Sequence, residues 1–118
     1  MKVEVHHPRS DVVVIAPEGR VDAVSGPQFR ELLKQQPEQG RPFLIIDLEK
    51  VPFMDSSGLS ALVSALKAAR KHNGTVVLVR PTPQVRMTLQ MSMLDRIFAI
   101  HDTIEDALEA LSSLLTTS

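Results

Sequence analysis

Phe43-Leu44-Ile45-Ile46-Asp47-Leu48, then Val51-Pro52-Phe53-Met54-Asp55-Ser56-Ser57-Gly58, then the segment from Leu59 to Gly74 decide the fold of this chain. The first piece is a short apolar run of central-strand character, the kind that fills a strand covered on both faces. The third spaces Leu59, Leu62, Val63, Leu66 and Ala69 at helical intervals, and Asn73-Gly74 is a C-terminal stop. Thr75 to Val79 follows as another β-branched run. Strand, helix and strand in that order make a right-handed crossover with its two strands parallel.

The same alternation extends outward in both directions. Upstream, Asp11 to Ile15 reads as a buried strand, and Val3 and Val5 alternate with polar residues as a short first strand. His7-Pro8-Arg9-Ser10 reads as a hairpin-type turn, which makes those two strands antiparallel. Ser25 before Gly26-Pro27 opens a helix carrying Phe29, Leu32 and Leu33 on one face, and Pro37 ends it. Downstream, Thr82-Pro83 begins a helix with Val85 and Leu89, and Ile97 to Ile100 forms a short edge strand. Thr103 and Asp106 resemble a capping box for a last helix striped by Ile104, Ala107, Leu108, Leu111 and Leu115. The class is α/β: one domain over residues 1–118, with a mixed, mostly parallel sheet of about five strands and about four helices.

Composition narrows the functions open to such a domain. A chain of 118 residues buries roughly two-thirds of its unfolded surface, enough for one core without staples. Thirteen basic residues stand against fourteen acidic ones, neither gathered into a block, and the four aromatics are all Phe. Nucleic-acid binding needs a basic stripe or stacking platforms, and neither is present. Arg70-Lys71-His72 reads instead as the solvated, dipole-complementing end of a helix. Cysteine is absent, which excludes disulfides and thiolate chemistry. With no signal-peptide pattern and no bilayer-length apolar run, the expectation is a cytoplasmic protein without membrane contact.

Two loops leave strands at the same edge of the sheet, where sites in parallel folds are built. One is Glu18-Gly19-Arg20-Val21-Asp22 and the other Val51 to Gly58. Asp55-Ser56-Ser57-Gly58 lies where a helix begins, so an Asp or Ser there serves as a cap. The exposed N–H groups of a first turn also favour anions, so a phosphate on either serine would be tolerated. It would add close to two negative charges beside Asp55.

Gly19-Arg20-Val21-Asp22, Phe29-Arg30-Glu31-Leu32-Leu33, Leu44-Ile45-Ile46-Asp47-Leu48 and Phe53-Met54-Asp55-Ser56-Ser57-Gly58-Leu59 together resemble the STAS domain of bacterial anti-anti-sigma factors. Order and spacing match over nearly the whole chain, with Asp-Ser-Ser-Gly-Leu the most specific element. The resemblance implies partner switching. The unphosphorylated antagonist binds an anti-sigma factor that is also a serine kinase, which frees a sigma factor for transcription. Phosphorylation of the turn releases the antagonist, and a serine phosphatase resets it. The implied acceptor is Ser57, with Ser56 as the alternative. Asp22, Asp55, Ser56, Ser57, Gly58 and Met91 are the expected partner-binding residues, and a monomer is the family expectation. The alternative is a STAS-type interaction module of a stressosome-like, secretion-regulating or lipid-transport complex.

Other chemistries fit less well. His6 and His7 point to opposite faces of a strand, and His72 and His101 have no ligand-spaced partner, so no metal or cofactor is expected. No G-x-S-x-G elbow surrounds Ser57, no P-loop or G-x-G-x-x-G is present, and the chain reads as a kinase substrate, not an enzyme. Met87, Met91 and Met93 cannot all face inward; at least one is expected in the core, with Met91 or Met93 left to touch a partner.

Overall fold

The computed structural model describes residues 1–116, with side chains described through Leu114. Leu115, the last position of the expected helical stripe, lies outside the described side chains. Five strands run β1 (Lys2–Arg9), β2 (Val12–Glu18), β3 (Phe43–Asp47), β4 (Thr75–Val79) and β5 (Ala99–His101), in that spatial order. β1 is antiparallel to β2 and every other neighbouring pair is parallel. The helices are α1 (Gly26–Glu38), α2 (Ser56–Lys71), α3 (Pro83–Met91) and α4 (Ile104–Thr116), with a 3-10 turn at Leu94–Arg96.

Period-two alternation along the strands divides the core into two layers. Val13, Ile15, Leu44, Ile46, Val76 and Leu78 face one side, packed with Phe29 and Leu33 of α1, Leu62 and Leu66 of α2, and Val85 and Leu89 of α3. Val12, Val14, Ile45, Val77 and Val79 face the other, covered by Ala107 and Leu111 of α4. A sheet whose parallel strands lie in sequence order, joined by crossovers of one hand, carries its connecting helices on one face. α1, α2 and α3 therefore share a side, and the last helix is left to cover the opposite one.

Several elements depart from the sequence-based expectation. The first strand continues through Pro8 to Arg9 instead of turning at His7. β1 is an edge strand and its register shifts between His6 and Arg9, so the missing proline N–H costs no ladder bond. Pro37 lies inside the last turn of α1 without ending it, and the following Gln39 and Gly40 N–H groups bond back to helix carbonyls. The Asn73-Gly74 stop does end α2 as expected, with Asn73 in the left-handed conformation (φ 63°). The Asn73 and Gly74 N–H groups then bond the Arg70 and Ala69 carbonyls, a Schellman arrangement. Gly74 is needed for another reason: a Cβ there would lie 1.9 Å from the Pro42 carbonyl oxygen.

The expectation that at least one methionine of Met87, Met91 and Met93 enters the core fails. Met87, Met91 and Met93 are all exposed, at 58%, 79% and 59%. α3 is a short helix with one narrow inward line, and Val85 and Leu89, four residues apart, occupy it. Met93 follows the helix in a left-handed conformation that turns the chain into the 3-10 segment. In α4 the Thr103 hydroxyl accepts from the Asp106 N–H at 3.0 Å, which is the capping half of the expected box.

Candidate functional site

The β2 and β3 loops meet at the carboxyl edge of the sheet. Gly19, at φ +96°, turns the chain out of β2, and its N–H donates to the Lys50 carbonyl at 2.9 Å. Val21 and Met54 then form a parallel bridge that resumes the pairing beyond the strand ends. The Val21 N–H donates to Phe53 (2.9 Å), and the Asp55 N–H donates to Val21 (3.2 Å). Asp22 and Asp55 each follow a bridged residue, so residues thirty-three positions apart come to one edge.

Met54 is held from its other side by Gln84 of α3. The Gln84 amide accepts from the Met54 N–H at 2.9 Å and donates to the Met54 carbonyl at 3.2 Å. The Thr82 hydroxyl donates to the Val51 carbonyl at 2.7 Å, so α3 ties down the whole approach to the turn. Arg20 stacks its guanidinium 4.1 Å from the Phe53 ring centroid, a cation–π contact beside the bridge.

The helix cap is Asp55, whose carboxylate accepts from the Ser57 N–H at 2.8 Å. With that N–H satisfied by the aspartate, the serine hydroxyls are not needed for capping. Ser56 is exposed and Ser57 half-buried, and among the described residues neither hydroxyl has a hydrogen-bond partner. Gly58 is buried, with a Cβ at its position falling 2.3 Å from Met54 Cγ and 3.0 Å from Val21 Cγ1. That withdraws Gly58 from the contact residues: it packs against the bridged pair beneath the turn.

Asp22 spends its carboxylate locally. Oδ1 accepts from the Val24 N–H at 3.0 Å and the Ser25 N–H at 3.2 Å, and Arg20 Nε lies 3.8 Å from Oδ2. The Ser25 and Val24 N–H groups, with smaller help from the Ser25 hydroxyl and Arg20, hold this carboxyl below the ordinary carboxylate range. Ser25 does not cap α1 with its side chain; its hydroxyl donates to the Arg20 carbonyl at 2.8 Å and closes the loop.

Ser56 and Ser57 line an open groove of about 530 Å³ between α1 and α2, shared with Gly26, Arg30, Lys34 and Ser60. α1 comes so near that a Cβ on Gly26 would lie 3.1 Å from Ser57 Cβ. Met91 is not part of this groove; it stands on the exposed side of α3, at the opposite end from Gln84. Gln84 has no local sequence signal, because it acts across the fold on Met54, thirty residues distant in the chain. No helix of the described residues is long and apolar enough to cross a membrane.

The geometry agrees with known proteins. A family model described as the STAS domain matches residues 3–107. An anti-sigma-B factor antagonist of Bacillus subtilis is 38% identical over 79 residues, 66% of this chain and 70% of its own. The solved structure of the anti-sigma factor antagonist SpoIIAA in its unphosphorylated form superposes with a TM-score of 0.83 at 26% identity, covering 95% of this chain and 97% of that one. The Bacillus SpoIIAA in its phosphorylated form superposes at 0.73, with 25% identity over 93% of this chain and 99% of that one.

Proposed function

The chain belongs to the STAS domain family, and on that premise we propose that it is an anti-sigma factor antagonist switched by phosphorylation of Ser57. One observation carries the reading. Asp55 supplies the cap of α2, which leaves the serine hydroxyls of the first turn spare and open to solvent or groove. A phosphate on Ser57 breaks no hydrogen bond of the folded chain, so its effect falls on whoever docks at this edge. The relative solved in both unphosphorylated and phosphorylated forms supports the same chemistry.

In this reading the unphosphorylated protein docks on an anti-sigma factor with serine-kinase activity through Asp22, Asp55, Ser56 and Ser57. Met91 adds an exposed, adaptable apolar contact from α3. Phosphorylation places about two negative charges beside Asp55 and expels the partner. A serine phosphatase restores the first state. The protein works as a cytoplasmic monomer and performs no catalysis itself.

Incubation with the cognate kinase and ATP should add one phosphate, lost in Ser57→Ala, as read by intact-protein and peptide mass spectrometry. A phosphate found on Ser56 would move the acceptor by one residue. Label elsewhere in the chain, or none, would remove the switch from this turn.

A further inference from the structure

Resting on the assignment of Ser57 as acceptor, we propose that the groove beside it is an internal receptor for the phosphoryl group, with Arg30 and Lys34 as its cationic wall. Ser57 opens into the same groove as both residues. An adjoining recess of about 370 Å³ shares Arg30 and Lys34 and adds Lys67 and Lys71 of α2. Four cations therefore stand along this cleft against the carboxylates of Glu31 and Glu38, in a chain whose net charge is −1. Among the described residues none of the four takes part in an ion pair.

Helix geometry directs the two α1 cations, Arg30 and Lys34, toward the serine end of the groove. Side chains on an α-helix lean toward its N-terminus and cover the preceding turn. Arg30 is four residues beyond Gly26, where a Cβ would lie 3.1 Å from Ser57 Cβ, so the lean of helical side chains directs it back toward that contact. Lys34 repeats the position one turn later and is half-buried along the groove. A guanidinium offers paired donors to a phosphate and the ammonium a mobile point charge. Opposing them are Glu31 in the groove, Asp55 at the cap and Asp22 in the neighbouring loop. The phosphorylated protein would thereby hold its own charge in a defined place and change the potential of the α1–α2 cleft as well as that of the turn.

The test installs phosphoserine at position 57 by genetic encoding, so that no kinase is involved, and titrates it by phosphorus NMR. A free phosphoserine loses its second proton near pH 6. The clamped group should titrate below that. Arg30→Gln with Lys34→Gln should raise the midpoint by about half a unit or more, and Glu31→Gln should lower it, as neighbouring charges dictate. A midpoint that Arg30→Gln/Lys34→Gln leaves unmoved, even if it is low because of the helix terminus, overturns the clamp. Failure of a kinase to label Ser57 would sink the acceptor assignment but not this result, and an unmoved midpoint would not touch the acceptor assignment.

Discussion

Gly58→Ala is the substitution on which the geometry of the turn speaks most directly. The added Cβ would meet Met54 Cγ at 2.3 Å, Met54 Sδ at 3.0 Å and Val21 Cγ1 at 3.0 Å. Comfortable carbon contacts lie near 3.5–4.0 Å. Met54 and Val21 are fully buried, so neither side chain can swing into solvent to make room. Overpacking of this kind costs about 1–3 kcal/mol. Against it stands the gain from replacing glycine within a helix, at most about 1 kcal/mol and less in the first turn. The clash wins, and a net loss of about 1–2 kcal/mol should lower Tm by roughly 5–10 °C in a domain of this size. Thermal unfolding followed by circular dichroism measures it. Met54→Ala is destabilising in its own right, but it removes the two nearest obstructing atoms. In that background the penalty of Gly58→Ala should shrink by about 1 kcal/mol or more, the signature of neighbouring sites. A Gly58→Ala protein as stable as the parent, or a penalty indifferent to Met54, would refute the close approach of α2 to the bridged pair.

Two further changes separate structural carboxylates from signalling ones. Asp55→Ala removes the cap and should cost about 1 kcal/mol, whereas Asp55→Asn keeps an acceptor of equal capping strength and should stay within about 0.5 kcal/mol of the parent. Equal losses in urea unfolding would show that the charge, and not the Ser57 N–H bond, holds the helix start. Asp22 bears on acid stability. Because its carboxyl is held low in the folded state, its contribution is present above the unfolded value near pH 4 and is lost as pH falls through the folded value. Asp22→Asn should therefore flatten the acid limb of a Tm-against-pH curve, and an unchanged limb would show that the Val24 and Ser25 N–H groups do not favour the charged form.

The elements that could be read from sequence are those whose cause is local. β3 and β4 announce themselves as apolar runs, α2 through its periodicity, and the caps at Asp55 and Thr103 through residues adjacent to the helices they start. Sequence and structure part where the same residue type has two uses that only tertiary context separates. Pro8 looks like a turn but sits in an edge-strand irregularity, and Pro37 looks like a helix end but lies inside the last turn of α1. Met87 looks as ready for the core as Leu89 until the width of the inward face of α3 is known.

The site itself was legible only in part, and for one physical reason. A phospho-acceptor motif is contiguous in sequence, whereas its support is assembled across the sheet edge. Gln84 takes both backbone groups of Met54 from thirty residues away, and Val21 bonds Phe53 and Asp55 on either side of it. Arg30 reaches the serine groove only because Gly26 lets α1 and α2 approach without a side chain between them. A substitution that bulks Gly26 would thus press directly on Ser57, although nothing in the intervening sequence links them. The turn names the chemistry; the packing of two helices and a glutamine amide decides where its hydroxyl is held.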